Sequence, residues 1–454
     1  MLGSIWKDKL ILLAVPIAIT LIVLGVLTTP VLSLISFLLS VILLFFLDND
    51  QILCLLVGLM PFSNIFKADS DSISYLTLLE IVVVLLLIIR NKKISLKLYG
   101  AFVAFAFYLF LCLVCGLQSD VDDIVKLLVH LFLLYMFSRS ITLEGIDKAI
   151  FLFTISLLAA LLLSLNLDFY RSVEHYFANN DLHVDAMLGG INSLRRCSGL
   201  FNDPNYCSIA IIADISILMV HYYYKRSGIE FWIFIVALIP LGMLTYSKSY
   251  FLVLIVLLIL FYLFVLIPRH RWMALLAAIV GVALLALALN GKFESVNIIL
   301  DRFSVHGDVT TGRADLLKYY YDYLARNTSA FLFGEGLSAA PLFGINNVHN
   351  FIMDGIYKIG LLGMCATFAF VIGSIPAVKI KQIRPVNFIP SACVFVMYMF
   401  LAGIASFDFW YYFFWCMAAV KLSEANTAER VGFWGKLRHK ILNSSLSLTV
   451  LKND

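Results

Sequence analysis

Charge is scarce in this sequence. Only 14% of the 454 residues are charged and 62% are hydrophobic, which excludes a soluble globular protein. Apolar runs of about 18 or more residues recur along the chain, and a helix needs about 20 residues to cross roughly 30 Å of hydrocarbon. These runs lack the period-2 alternation of barrel strands, which excludes a membrane barrel. The sequence therefore predicts an all-α polytopic membrane protein.

Several other features are missing. No repeat of fixed period and no low-complexity segment is present, and no small-residue cleavage site follows the first apolar run, 10–27, which we predict to be a retained helix. The eight cysteines lie mostly in apolar segments, so no disulfide framework is expected. One pair, Cys112 and Cys115, forms a C-x-x-C without a second pair, which favours a core role over a metal or redox role. The modest net charge of +4 gives no reason to expect a nucleic-acid partner.

The apolar runs predict about fourteen transmembrane helices. They span 10–27, 31–47, 51–66, 73–89, 98–117, 121–137, 146–165, 204–224, 231–246, 250–267, 272–289, 351–378, 388–404 and 407–421. With both termini in the cytoplasm, most Lys and Arg residues fall on the cytoplasmic side, as the positive-inside rule requires.

This segmentation divides the chain into six parts. They are N-terminal membrane helices (1–165), a first external loop (166–203), central membrane helices (204–289), a large external loop with a short helix (290–350), C-terminal membrane helices (351–421) and a cytoplasmic, basic amphipathic tail (422–454). The basic residues on the external side are concentrated in the two loops. Because the positive-inside bias disfavours that arrangement, the arginines there call for another explanation.

The stretch "SLRRCSGLFNDPNY", Ser193–Tyr206, raises this question most clearly. Arg195 and Arg196 present rigid forks of donors that match phosphate oxygens. Pro204 suits the first turn of a helix capped by Asp203 or Asn202, and a helix N-terminus also favours an anion. Binding to a phosphate group and anchoring to lipid headgroups are equally supported by this pattern alone.

Two more basic segments lie on the external side. The turn "TYSKSY" carries Lys248, for which a headgroup anchor is the simpler interpretation. In the large loop, Arg302 and Arg313 flank a polar turn, and 314–324 has the pattern of a short amphipathic helix rich in tyrosine. Such tyrosines suit sugar stacking and a membrane interface equally well.

A further segment, "GINNVHNFIMDGIYKIGLLG", places His349 and Asn350 at the external end of a helix. Histidine titrates near neutrality and can accept a proton from a sugar hydroxyl, although a single histidine is more often structural. Asp354 and Lys358 have the spacing of an i,i+4 ion pair. Gly360 and its neighbouring glycines permit close approach of another helix.

Carboxylates offer weaker signals. The external turns Asp69-x-Asp71 and Asp120-x-Asp122 have a spacing that suits Mg²⁺, but acidic surface turns are more common, and we predict no metal site. Glu80 and Asp214 lie within membrane helices, where ionisable residues are functional candidates by default. A polar network that holds the bundle together explains them equally well.

Taken in order, the external motifs resemble the O-antigen polymerase and ligase family of bacterial envelope glycosyltransferases (Wzy and WaaL proteins). The matching residues are Arg196-Cys-Ser-Gly199-Leu-Phe201-Asn-Asp-Pro204-Asn205, Ser247-Lys248, Arg302 with Gly312-Arg313, Gly334-Glu-Gly336, and His349-Asn350 with Gly360 and Gly363. The resemblance covers about 195–365. Lys248 departs from the arginine usual in the family; it keeps the charge but loses the bidentate fork.

The resemblance implies a GT-C-like membrane glycosyltransferase in the bacterial cytoplasmic (inner) membrane, with the active site facing the periplasm or exterior. It implies inverting, metal-independent transfer of a glycan from a polyprenyl diphosphate carrier to a hydroxyl acceptor, with no cofactor. His349 would be the general base, and Arg196 and Arg313 would clamp the donor diphosphate. The donor diphosphate and sugars would be bound by Arg195, Lys248, Arg302, Asn205 and Asn350.

Within the family, a polymerase of lipid-linked repeat units is favoured, which would make O-antigen, capsule or exopolysaccharide. The expected partners are the lipid-linked oligosaccharide donor and acceptor, membrane lipids and a chain-length regulator. An O-antigen ligase that uses a lipopolysaccharide core sugar, and a relative that glycosylates protein, share the motifs. From other classes, a flippase for lipid-linked sugars and a membrane acyltransferase are the alternatives; the external position of most polar residues argues against the flippase.

Overall fold

The computed structural model describes residues 2–70, 72–90, 96–115, 117, 119–177, 196–201, 203–224, 226–269, 271–272, 275, 279, 313–342, 348–400 and 409–425. Within these ranges every regular element is a helix.

The main helices are numbered in chain order. They are α1 (Leu2–Leu27), α2 (Val31–Leu44), α3 (Asn49–Leu59), α4 (Tyr75–Arg90), α5 (Leu96–Val114), α6 (Val121–Ser140), α7 (Leu143–Leu165), α8 (Leu167–Val173), α9 (Pro204–Tyr223), α10 (Ile229–Met243), α11 (Lys248–Phe261), α12 (Arg313–Arg326), α13 (Thr328–Phe333), α14 (Phe351–Gly373), α15 (Ile389–Tyr398) and α16 (Phe409–Lys421). Short helical turns occupy Met60–Phe62, Glu174–Tyr176, Ile267–Arg269, Ile380–Gln382, Pro385–Phe388 and Leu422–Glu424, and Tyr262–Leu266 is a π-helical continuation of α11.

Five helices in the described part are long and apolar enough to cross a membrane. They are Lys9–Leu27, Leu143–Leu165, Pro204–Tyr223, Lys248–Leu266 and Phe351–Gly373. Shorter apolar helices occupy Val31–Leu44, Asn49–Phe62, Gly100–Val114, Ile229–Met243 and Pro385–Tyr398. The chain is a helical membrane protein.

Most predicted crossings coincide with a helix of the structure. The exception is 272–289, most of which lies outside the described residues. The predicted amphipathic tail also lies mostly outside them, since only 422–425 of it is described. The tyrosine-rich helix predicted for 314–324 is confirmed as α12. The predicted start of α9 is also confirmed, because Pro204 is its first residue and Asp203 is its cap.

One end of the bundle is marked by polar contacts between helix termini. Arg226, which follows α9, donates to Asp147 near the start of α7, with Nε–Oδ1 2.6 Å and Nη2–Oδ2 2.5 Å. The Tyr224 hydroxyl donates to Asn387 Oδ1 at 2.8 Å, just before α15. Asn387 in turn donates to the carbonyl of Ala419 near the end of α16. We call this the Asp147 end.

Two further contacts bring more termini to the Asp147 end. Asp50, in the first turn of α3, accepts a hydrogen bond from the Thr142 hydroxyl at the start of α7. Arg139, near the end of α6, donates through Nη2 to the Gly373 carbonyl at the end of α14 at 2.8 Å. A helix of about 20 residues is roughly 30 Å long. The beginnings of α6 and α9 and the end of α7 therefore lie at the opposite end, which we call the Arg196 end. The first half of α14 lies there too, because the Lys358 carbonyl accepts from the Gly336 N–H and the next N–H, that of Leu337, donates to Ser119 just before α6.

Buried carboxylates within the bundle bond to neighbouring helices. Glu80 Oε1 on α4 accepts from Trp410 Nε1 and from the Tyr411 hydroxyl of α16, both at 2.9 Å. The Thr154 hydroxyl on α7 lies 2.8 Å from Asp214 Oδ1 on α9. Buried polar groups need such partners because an unsatisfied one costs several kcal/mol in an apolar medium, of the order of 2 to 7. These contacts favour the network interpretation of Glu80 and Asp214.

Candidate functional site

The structure brings together two motifs that are far apart in sequence, the Arg196 segment and the turn before α11. Arg196 Nε donates to the Thr245 carbonyl at 2.9 Å. The backbone N–H of the next residue, Cys197, donates to the Leu244 carbonyl, also at 2.9 Å. Arg196 is half-buried, while Thr245 is fully buried. The guanidinium is therefore held by a backbone acceptor in a fixed turn.

The chain between Arg196 and α9 is held from several sides. Gly199 has φ +60°, a left-handed conformation that a side chain disfavours, and Phe201 is buried. The side-chain amide of Asn64, beyond α3, donates to the Leu200 carbonyl at 3.0 Å. Asp203 Oδ1 then accepts from the Asn205 N–H at 2.6 Å and caps α9.

The start of α11 lies directly against the start of α9. Ser247 is the cap of α11, and its hydroxyl donates to Asn205 Oδ1 at 2.8 Å. Lys248 is the first residue of α11 and is half-buried. We refer to Arg196, Asn205, Thr245, Ser247 and Lys248 as the Arg196 cluster. Two helix N-termini thus meet beside the Arg196 guanidinium, and one of the two helices begins with Lys248. Helix N-termini and cations both favour an anion.

The G-x-G motif at Gly334–Gly336 pairs with a break in α14. Gly360 has φ +69° and interrupts the helix. The three carbonyls that precede the break, those of residues 357, 358 and 359, accept from the Glu335 N–H (2.8 Å), the Gly336 N–H (2.9 Å) and the Tyr108 hydroxyl (2.9 Å). A side chain at Gly360 would overlap the Leu332 carbonyl of α13, so the predicted close approach of another helix at this glycine is confirmed.

His349 and Asn350 form the entrance to α14. His349 has φ +48°, which is uncommon for a residue other than glycine. Asn350 caps the helix through Oδ1, which accepts from the Met353 N–H at 3.0 Å. The predicted ion pair is present, with Lys358 Nζ 3.3 Å from Asp354 Oδ1. His349 therefore sits on a constrained backbone at the mouth of a capped helix.

The tyrosine-rich helix α12 packs against the first turns of α14. The Tyr320 ring meets the Tyr357 ring edge to face, with centroids 4.9 Å apart. The Tyr323 hydroxyl donates to Glu335 Oε1 at 2.5 Å, and this hydrogen bond, together with burial, raises the pKa of Tyr323 to about 12. Tyr319 and Tyr321 point outward, with exposed fractions of 55% and 63%. The inner face of α12 thus connects the G-x-G motif to the helix that follows His349.

The other predicted site residues are only partly placed. Arg195 and Arg302 lie outside the described residues, and of Arg313 the structure describes only its backbone position as the first residue of α12. The Arg196 cluster and the His349–Asn350 pair lie at the same end of the bundle.

The two Asp-x-Asp turns differ in what the structure describes. Asp71 lies outside the described residues, and Asp122 is engaged by Lys126, whose Nζ is 2.8 Å from Asp122 Oδ2. Across the described part of the chain, no three His, Cys, Asp or Glu side chains come close enough to hold a metal ion.

Sequence reasoning assigned no role to the residues that join the motifs, although Ser247 belongs to one of them. Thr245 and Ser247 connect the Arg196 segment to α11, and Tyr108 bonds to the break in α14. One signal was available for the first two, since every residue of "TYSKSY" except Lys248 bears a hydroxyl. Tyr108 carries no local signal, because it lies within an ordinary apolar helix and its partner is a backbone carbonyl.

Comparison of the chain with protein-family models, with curated proteins and with solved structures gives no match.

Proposed function

We propose that this chain is a membrane glycosyltransferase that joins polyprenyl-diphosphate-linked oligosaccharide repeat units into a longer glycan. The proposal places it in the bacterial cytoplasmic membrane, with the Arg196 end on the external side. A GT-C-like architecture of about fourteen crossings is part of the same proposal. The product would be O-antigen, capsule or exopolysaccharide.

The observation that carries the proposal is the hydrogen-bonded union of the Arg196 segment with the start of α11. Arg196 is held by the Thr245 carbonyl at 2.9 Å, and Ser247 joins Asn205 at 2.8 Å. The cluster brings the N-termini of α9 and α11 together beside Arg196, with Lys248 as the first residue of α11 and Asp203 as the cap of α9. A diphosphate is the anion that a lipid-linked glycan donor supplies, and preorganised donors stabilise the charge that grows as it leaves.

In the proposed reaction, His349 accepts the proton of the acceptor hydroxyl, and the hydroxyl oxygen forms a bond to the anomeric carbon of the donor. The bond between that carbon and the phosphate oxygen breaks, and its electron pair leaves with the lipid diphosphate. Attack from the opposite face inverts the anomeric carbon. Arg196 and Lys248, with Arg195, Arg302 and Arg313, stabilise the leaving diphosphate, and Asn205 and Asn350 orient the sugars or the backbone.

The polymerase is preferred to the ligase because about fourteen crossings and a moderate external loop suit it somewhat better. The two share the same motifs, and they differ in the acceptor, which is another lipid-linked repeat unit for the polymerase and a core sugar of lipopolysaccharide for the ligase. Membrane lipids and a chain-length regulator are the further partners that the proposal includes.

One observation favours a transporter of lipid-linked sugars as the second candidate. Discontinuous membrane helices often mark transport sites, and α14 is interrupted at Gly360. At this break, however, the preceding carbonyls are bonded by Glu335, Gly336 and Tyr108 of the same chain. The break is thus filled by the protein itself, which makes glycosyl transfer the better-supported function.

Deletion of the gene in its own host, followed by size separation of the surface glycan, distinguishes the candidates. Single repeat units attached at the surface are expected for a polymerase. Long chains that stay on the lipid carrier would identify a ligase instead. An unchanged profile would contradict both enzymes and return the transporter to first place.

In the deletion host, Arg196→Ala and Arg313→Ala are expected to abolish complementation while the protein stays in the membrane. Lys248→Arg is expected to retain it if charge alone matters. Arg326→Ala, the same change at an exposed arginine at the end of α12, serves as the matched control and is expected to complement fully.

Excess chelator is expected to leave turnover unchanged; inhibition would point to the Asp-x-Asp turns.

A further inference from the structure

A short chain of hydrogen bonds runs along the turn before α11 and ends on Asn205. Ser249 Oγ lies 2.8 Å from Ser247 Oγ. The Tyr250 N–H donates weakly to the same Ser247 Oγ at 3.4 Å. Ser247 Oγ lies 2.8 Å from Asn205 Oδ1. Ser247 and Ser249 are buried, with exposed fractions of 1% and 7%, and Asn205 is half-buried.

The number of available protons fixes the direction of donation along these hydrogen bonds. A serine hydroxyl has a single proton, and an amide oxygen can only accept. The Ser247 proton therefore goes to Asn205 Oδ1, and the Ser249 hydroxyl must donate to Ser247. Because Asn205 Oδ1 faces Ser247 and accepts its proton, the Nδ2 amino group of Asn205 points away from Ser247.

The orientation of the Asn205 amide matters because Asn205 lies at the start of α9, beside the turn that holds Arg196. Asn205 is the second residue of α9, and its own N–H is bonded to Asp203 Oδ1. Arg196 is held by the same turn through the Thr245 carbonyl. The same turn thus holds two donor side chains, Arg196 through Thr245 and Asn205 through Ser247. A reversed Asn205 amide would exchange its N–H donors for an oxygen, which repels an anion.

We infer that Ser247 is a positioning residue, which orients the Asn205 amide so that it offers N–H donors to a phosphate group of the ligand. This inference rests on the proposed function, because it assumes that the Arg196 cluster binds a diphosphate. It assigns to Ser247 a role beyond capping α11, and it makes Asn205 a donor.

The test measures pyrophosphate binding to the purified full-length chain in detergent by titration calorimetry, with thermal melting recorded in the absence of pyrophosphate. Ser247→Ala is expected to weaken the affinity about tenfold, which corresponds to the loss of one oriented hydrogen bond. Ser247→Thr keeps the hydroxyl and is expected to restore binding. Asn205→Asp still accepts from Ser247 but loses the donors and adds a negative charge, so it is expected to weaken binding more than Ser247→Ala.

The matched control is Ser374→Ala, which removes a fully buried serine hydroxyl at the Asp147 end. It is expected to leave the affinity unchanged. If Ser247 were merely structural, Ser247→Ala would lower the melting temperature but leave the affinity for pyrophosphate at the wild-type value. That result would overturn the positioning role.

The same experiment also tests the diphosphate site of the proposed function, and the two ideas fail with different results. If the wild type binds pyrophosphate, Arg196→Ala does not, and Ser247→Ala equals the wild type, only the positioning role is lost. If neither the wild type nor any variant binds pyrophosphate, the diphosphate site itself is refuted, and the inference is refuted with it.

Discussion

At the scale of single residues, backbone strain coincides with the two candidate clusters. Among the described residues, only Tyr246 and His349 adopt positive φ without being glycine, at +47° and +48°. Tyr246 lies between Thr245 and Ser247, and His349 precedes the cap of α14. Each such residue costs roughly 1 to 3 kcal/mol, and strain of this kind is found most often at functional sites. The strain therefore supports the choice of these two turns as the site.

Gly360 allows a residue-scale prediction. Gly360→Ala is expected to destabilise the protein by at least about 2 kcal/mol, because an alanine is strained at φ +69° and its Cβ would overlap the Leu332 carbonyl. Gly100→Ala is the matched control, because nothing lies within 4 Å of a Cβ at Gly100 and the residue is within α5. This control is expected to be neutral or slightly stabilising.

The measurement for both glycines is the free energy of unfolding from denaturant titration in mixed micelles. Equal stability of the two variants would mean that the break at Gly360 is not needed to seat α13 against α14. A loss of stability for Gly360→Ala alone would agree with the packing described above.

At the scale of elements, α7 and α9 are joined by a buried charged group at the Asp147 end. Asp147 accepts from Arg226, and its Oδ1 also lies 2.9 Å from His221 Nε2. Asp147 and His221 are fully buried, and Arg226 is 7% exposed. Buried ion pairs contribute little compared with apolar packing, but loss of one partner leaves a desolvated charge without compensation.

Arg226→Ala is therefore expected to destabilise the protein by about 3 to 5 kcal/mol. The double variant Asp147→Asn/Arg226→Ala should recover part of that loss, because it removes the stranded charge. Lys421→Ala, which disrupts the partly exposed pair with Glu424, is the control and should cost less than about 1 kcal/mol. The unfolding free energies of the four proteins form the measurement. A double variant no more stable than Arg226→Ala would contradict the stranded-charge argument.

At the scale of the whole molecule, the alternation of helix ends leads to a prediction of sidedness. Asp69 follows α3 at the Arg196 end, and Lys381 lies between α14 and α15 at the Asp147 end; both are exposed. On the proposed topology, we expect Asp69→Cys to react with a membrane-impermeant maleimide from the external side, and Lys381→Cys to react only after lysis. The background for both carries serine at the exposed Cys115 and Cys365.

Labelling of both positions from one side would contradict the assignment of the two ends. Labelling with the sides exchanged would keep the bundle but place the Arg196 cluster in the cytoplasm. External glycan assembly would then be excluded.

Features with a local cause could be predicted from the sequence. The start of α9 follows from Asp203 and Pro204, which act within one turn. The Asp354–Lys358 pair follows from helical spacing alone. Helix α12 follows from its amphipathic pattern. In each case the interacting groups are at most four residues apart in the chain, so the pattern contains both partners.

The contacts that assemble the site could not be predicted in this way. Arg196 bonds to a carbonyl 49 residues away, and Tyr108 bonds to one 251 residues away. A backbone carbonyl is present at every residue, so the sequence does not distinguish one acceptor from another. Asp147 and Arg226 were separate charges in the sequence and became partners only through the packing of α7 against α9.

The sequence by itself determined that this is a helical membrane protein, because the scarcity of charge and the apolar runs leave no other way to satisfy the backbone. It also determined which residues are chemically suited to bind an anion. Only the tertiary structure decided which of them meet. The union of Arg196, Asn205 and the turn of Thr245 and Ser247 depends on how α9 and α11 pack, and packing is a property of surfaces far apart in the chain.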